Sequence, residues 1–341
     1  MTNQNATDIR FSLLELDDAP IAAAEWDSSP DTTPNVQVIE APRGFRRTVG
    51  HSSLEAVEAA MPEFSATVDK VPLFTGEGLE VPDAFATMRT YPDGRKQVLG
   101  TVGARYRVVQ DSEAMEVIRP LVDQGIISEL DGGSHRGKLW VYGQSALTRD
   151  IVPGDAVQAK VMAANSHDGS IPWTIGFPCV RPICQNTLAM ALSSKLSKLL
   201  KIKHTRNAQD VVNQVKTAVA MFGMEFIEAT DKMMHLAKVK CTQETLKEYT
   251  GYVFSQWADD EETSETSRES KVYTKVLENF ESGQGSQYHR GTLWGAYNAI
   301  TEYTSHQRSR SDDPNKAFVD LQWGNGAIIN KRAFDRALEL A

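Results

Sequence analysis

Apolar and polar positions along this chain follow a two-residue period in some stretches and a helical period in others, and their order predicts the architecture. Residues 51–61 (HSSLEAVEAAM) read as a short helix with Ser52 or Ser53 as N-cap and Glu55 in the first turn, ended by Pro62. Pro72, Gly76, Gly78 and Pro82 mark a loop-like stretch that joins this arm to the main body. A β pattern begins at residue 86. The segment FATMRTYPDGRKQVLGTV holds two alternating runs around Pro92, Asp93 and Gly94, and Asp-Gly supplies the positive φ that a hairpin turn demands. The run GARYRVVQ leads to a helix start at Asp111 and Ser112. Ala114, Met115, Val117, Ile118, Leu121 and Val122 then form an apolar face that stops at Gly125. Pro120 within it requires a kink or an early end.

Extended segments follow at 126–130, 138–147, 156–164 and 173–180, punctuated by Asp131-Gly132-Gly133 and Pro153-Gly154-Asp155. Strands at hairpin spacing imply a mainly antiparallel sheet with helices packed on one face. The chain is expected to turn at Gln185, Asn186 and Thr187 into a helix whose stripe is Leu188, Leu192, Leu196, Leu199 and Leu200, flanked by Lys195, Lys198 and Lys201. That stripe needs a cover, for which the sheet face bearing Trp173, Ile175 and Phe177 is the candidate. Beyond it the pattern is helical: from an Asn207 cap to about Ala237, from a Thr242 cap through Val253, over 268–281, over TLWGAYNAITEYTSH, and again after WGNG at 323–326. The predicted class is α+β, a mainly antiparallel sheet with packed helices followed by an all-α C-terminal half. Three regions result: an N-terminal arm (1–85), the sheet with its helices (86–206), and a helical region (207–341) packed on the same body.

Composition changes this picture in one place. The 341 residues are 41% hydrophobic, enough for a real core, and the net charge is −9. Yet no acidic residue stands between Asp168 and Asp210, where Arg181, Lys195, Lys198, Lys201, Lys203 and Arg206 all lie. With Arg89, Arg95, Lys96, Arg105 and Arg107 in the predicted hairpin region, and Tyr91, Tyr106 or Trp140 for stacking, this forms a candidate phosphate-binding groove. A basic start with an apolar run is missing at the N-terminus, and no window approaches the ~18 apolar residues of a membrane helix. A cytoplasmic protein without membrane contact is therefore expected. Three cysteines (Cys179, Cys184 and Cys241) make no disulfide framework and lack the second ligand pair of a zinc site.

Asn165, Ser166, His167 and Asp168 form a polar turn, which with Gln185 and Asn186 offers ligand-contacting loops. Ser166, His167 and Asp168 are the residue types of a hydrolytic triad, but adjacent residues do not aim their side chains at one another, so a hairpin turn is the favoured reading. GQG at 283–285 lacks the preceding strand and the Gly-Lys-Ser/Thr ending of a phosphate loop. Neither a metal, a cofactor nor a catalytic set is assigned.

The motifs LGTVGARYRVVQDSEAMEVI, ANSHDGS, FPCVRPICQNTL, IKHT and RGTLWGAYNAITEYTSH, in this order, resemble the family of phage/plasmid-like proteins carried by phages, prophages and plasmids. The resemblance spans residues 85–341 and implies a DNA-related role in a mobile element. A second, architectural similarity is to single-strand annealing recombination proteins, through a helix, antiparallel strands and a basic-flanked helix. The resulting expectation is a non-enzymatic DNA-binding protein that holds or anneals single strands, with single- or double-stranded DNA as partner and a homo-oligomer as a further possibility. A nucleic-acid-processing enzyme, a host-takeover or anti-defence factor and a self-assembling structural protein are its rivals.

Overall fold

A computed structural model describes residues 53–183, 186–188, 208–255, 265–308 and 313–341. The first helix, α1 (Leu54–Ala60), is capped by Ser53, whose Oγ accepts the Ala56 N–H at 3.3 Å, and it buries Leu54 and Val57. The loop expected next is instead strand. β1 (Thr67–Phe74), β2 (Glu80–Thr90) and β3 (Lys96–Gly103) form a three-stranded antiparallel sheet in that order. Pro72 is compatible with β1 because β1 is an edge strand. The β2–β3 hairpin turns at Asp93-Gly94, with Gly94 at φ 85°.

Of the segment GARYRVVQ, only Gly103 belongs to a strand, as the last residue of β3. The helix expected after it is broken into α2 (Asp111–Met115) and α3 (Arg119–Asp123), with Pro120 in the first turn of the second piece, where its missing N–H has no helical partner to lose.

A second, six-stranded sheet carries the centre of the molecule. β4 (Ile127–His135), β5 (Lys138–Val152), β6 (Asp155–Ser166), β8 (Cys179–Arg181) and β9 (Asn186–Leu188) lie in that order, and β7 (Thr174–Gly176) also pairs with β6; every pairing is antiparallel. Two sequence expectations are corrected here. Asp131-Gly132-Gly133 is not a turn, because β4 runs straight through it, and the hairpin turns at Arg136-Gly137. The two glycines serve close packing: a Cβ on Gly132 would lie 2.8 Å from Met61 Sδ, and one on Gly133 2.6 Å from the Trp140 ring. Asn186 to Leu188, read as a turn and a helix start, form β9.

Alternation along β5 and β6 sends the two sides of the sheet into different cores. Leu139, Val141, Val157, Ala159, Val161 and Ala163 join the main core, whereas Trp140, Tyr142, Met162 and Ala164 join a smaller one on the opposite face. The main face is covered by the long helix α4 (Ala208–Leu236), whose Phe222 stacks on Phe177 with centroids 4.1 Å apart. The opposite face is covered by α8 (Pro314–Trp323), whose Phe318 stacks on Trp140 at 4.6 Å. The sequence reading did not mark α8, although Asp313-Pro314 is a cap signal: Asp313 Oδ1 accepts the Asn315 N–H at 2.9 Å.

The remaining helices are α5 (Gln243–Phe254), α6 (Glu265–Ser282), α7 (Leu293–Glu302) and α9 (Asn325–Glu339). Every residue of α7 from Leu293 to Thr301 is buried, as befits a helix whose circumference is apolar or small. One continuous apolar core contains Val141 and Val161 of the sheet together with Trp294, Tyr297 and Phe334 of the helical part. The fold is thus α+β, with antiparallel sheets followed by helices. No helix among the described residues is long and apolar enough to cross a membrane.

Candidate functional site

The ANSHDGS turn, at the end of β6, is the point at which the two sheets meet. His167 N–H donates to Gly137 O at 2.8 Å, and His167 O accepts Thr87 Oγ1 of β2 at 2.6 Å. Gly100 of β3 faces the turn so closely that a Cβ there would lie 2.5 Å from Asp168 Cα, so only glycine fits.

Under the turn lies a buried polar network. Asp111, at the start of α2, accepts Arg89 Nη2 at 2.7 Å through one carboxylate oxygen. Its other oxygen accepts His167 Nε2 at 2.9 Å and Asn165 Nδ2 at 3.0 Å. Arg89 and Asp111 are each about 2% exposed and His167 is fully buried. Burial raises the Asp111 carboxyl, but the His167 hydrogen bond and the charges of His167 and Arg89 outweigh it and hold the group below the usual carboxylate range. An ionised carboxylate can only accept, so His167 Nε2 is the donor to Asp111, while Nδ1 has no hydrogen-bond partner among the described residues. Arg89 is therefore part of the interior, not of a basic groove as its sequence neighbours implied.

Above the network the surface is different. Asp168 is half-buried, ion-paired with Lys138, and accepts Ser166 Oγ together with Ser170 Oγ at 2.6 Å. Burial raises its pKa, yet the hydrogen bonds from Lys138, Ser166 and Ser170 bring it down to about 2. Ser166 is therefore spent on Asp168 and His167 on Asp111. These contacts hold a turn in shape; they do not make a nucleophile and its base.

The turn at residues 104–107 is pinned to the same corner. Tyr106 Oη donates to Ser166 O at 2.8 Å, and Lys70 Nζ donates to Ala104 O at 2.7 Å and Tyr106 O at 3.2 Å. Burial, with the charges of Asp111 and Asp168, pushes the Tyr106 hydroxyl up to about 12, so it remains a donor. Pinning Tyr106 inward leaves Arg105 and Arg107 exposed on either side. Arg136, at the β4–β5 hairpin tip, is exposed in the same corner, two residues from Lys138, which pairs with Ser166 in the sheet. None of these three arginines has an ion-pair partner among the described residues. Asp83 is exposed, with its backbone carbonyl beside the Gly103 end of β3.

The other candidates lie elsewhere. Arg181 is fully buried, ion-paired with Asp155, and donates to Gln284 O at 3.0 Å and Gly285 O at 2.9 Å; it is not on a solvent-facing phosphate surface. Asp155 also accepts Trp294 Nε1 at 2.9 Å. Close by, burial and the Arg181 charge push His289 down to about 4. Asn186 is buried too, donating to Asn298 O at 3.3 Å and lying 3.0 Å from His306 Nε2, so it ties β9 to α7 and faces no open loop. Trp140 is sealed under Phe318, and Arg95 covers the Tyr91 ring at 4.5 Å, which removes both as open stacking platforms. Gln185, Lys195, Lys198, Lys201, Lys203 and Arg206 lie outside the described residues, as does the stripe from Leu192 to Leu200. Among the described residues, no group of three or more His, Cys, Asp or Glu side chains could hold a metal ion.

The sequence reading missed Asp111, Lys70 and Arg136. Arg136 was legible only through the correct hairpin register, because Arg-Gly between two strands is a two-residue turn once Asp131-Gly133 is recognised as strand. Comparison with known proteins found that the model of a family described as Domain of unknown function (DUF932) matches residues 98–323. No curated protein and no solved structure matches the chain.

Proposed function

This chain belongs to the DUF932 family, whose match covers β3 through α8, and from that premise we propose that it is a nucleic-acid-binding protein that holds DNA at the corner around Asp168. The observation that carries the reading is the trio of exposed, unpaired arginines, Arg105, Arg107 and Arg136, set on turns fixed from beneath by Tyr106, Lys70 and the Asp111 network. A rigid guanidinium group loses little entropy on pairing with a phosphate, and it presents two parallel donors. The acid-free window that starts directly after Asp168 adds Lys195, Lys198, Lys201, Lys203 and Arg206 in sequence, a concentration of positive charge in a chain of net charge −9.

Single strands are the favoured form, and the motif resemblance to phage/plasmid-like proteins fits binding or annealing during replication or recombination in a mobile element. The enzyme reading is the weaker one, since Ser166 and His167 hydrogen-bond to different carboxylates. Titration with single- and double-stranded oligonucleotides over a salt series tests the proposal. Binding should weaken steeply with salt, and changing the four lysines Lys195, Lys198, Lys201 and Lys203 to Gln should flatten the slope by roughly one unit per lost contact. A parent protein that binds neither form at low salt would end the nucleic-acid reading.

A further inference from the structure

We infer that Arg136 is a phosphate-contacting residue held in a disfavoured backbone conformation on a turn that, like the one carrying Arg105 and Arg107, is anchored to the ANSHDGS segment; the inference rests on the nucleic-acid reading above. His135 pairs with Lys138, so Arg136 and Gly137 alone make the turn, with φ of 48° and 78°. Positive φ at both central positions is the mirror-image hairpin turn, which favours Asn, Asp or Gly at the first of them. Arginine has a Cβ that crowds the following carbonyl in this conformation and no short polar group to bond its own backbone.

Among the described residues, two other non-glycine residues have positive φ, and each has a local account. Asp83 is a type that tolerates the conformation, and Glu129 lies in the bulge of β4 where the register shifts between Ser128 and Asp131. Arg136 has neither. It is exposed and unpaired, so packing does not select it. The turn beneath it is fixed, since a Cβ on Gly137 would lie 3.1 Å from Leu99 Cβ, and Gly137 O accepts the His167 N–H at 2.8 Å. A strained residue on a rigid base, with Arg105 and Arg107 exposed on another turn anchored to the same segment, points to a role outside folding. The ligand chemistry that suits three arginines around one polar turn is a phosphodiester backbone, read without regard to base.

Two substitutions separate strain from charge. Arg136→Gln keeps the strain and loses the charge, while Arg136→Asn loses both. Fluorescence anisotropy with a labelled oligothymidylate at low salt should show both variants binding roughly 5- to 10-fold more weakly than the parent, with a salt slope lower by about one unit. The melting temperature of Arg136→Asn should exceed that of the parent, and that of Arg136→Gln should not. Arg290→Gln, at an exposed and unpaired arginine of the loop before α7, controls for the loss of one charge and should bind as the parent does. The inference is overturned if Arg136→Gln binds as tightly as the parent, or if Arg290→Gln weakens binding equally, and in both cases the broader reading stands. Parent protein that fails to bind overturns both.

Discussion

Asp168 shows how single residues here serve shape before chemistry. Its carboxylate gathers Lys138, Ser166 and Ser170 and so fixes the turn on which the two sheets meet. Its folded pKa of about 2 lies below the ordinary 3.8, so the stability it contributes is complete above that ordinary value and disappears as pH falls through about 2. The melting temperature of Asp168→Asn should therefore lie below that of the parent by a constant amount above about pH 5, and the gap should close toward pH 2. A gap that persists unchanged in acid would show that the carboxylate charge is not what holds the turn. At this scale the sequence was partly readable. The residue types of ANSHDGS announced a hydrogen-bonded turn, and Arg105 and Arg107 are exposed residues. What could not be read was that Arg89, Arg181 and Asn186 are interior. Their partners Asp111, Asp155 and Asn298 are 22, 26 and 112 residues away, and no local pattern encodes such a pairing.

Elements were legible wherever periodicity and caps agreed. Ser53, Thr242 and Thr292 were marked or implied as helix starts, and each side chain accepts a backbone N–H of its helix. Thr292 is the most consequential, because it accepts Gly295 N–H at 3.1 Å and donates to His289 O at 2.7 Å, fixing the entry of the buried α7. Thr292→Ala should lower unfolding free energy by about 1–2 kcal/mol in urea titration, and Thr292→Ser by much less. Equal losses for the two would assign the effect to the methyl group and not to the cap. Elements were not legible where proline and glycine lie inside strands. Pro72 lies in an edge strand, and Gly132 and Gly133 lie within β4, where neighbouring side chains occupy the space a Cβ would need. Proline and glycine mark what the backbone is permitted, and only packing decides whether a turn results.

Across the whole molecule, sheet and helices share one core, and the Asp155–Arg181 pair is its polar seam. The pair joins the start of β6 to β8, while Gln284, Gly285 and Trp294 complete it from the helical part. Arg181→Met leaves Asp155 buried without its counter-charge and should cost about 3–5 kcal/mol; the double variant with Asp155→Asn should lose less, since no unpaired charge remains. Circular dichroism and tryptophan fluorescence should report the same melting curve in the parent, because Trp140 and Trp294 lie in cores reached from both parts. The seam also has a consequence in time. Gln284 is 103 residues downstream of Arg181, so a ribosome adding about 5–20 residues per second exposes the arginine and Asp155 for roughly 5–20 s before the Gln284 carbonyl emerges, and longer before Trp294 does. During synthesis the sheet holds a charge pair whose dry surroundings do not yet exist, and chains that end before α7 should be the ones that chaperones retain.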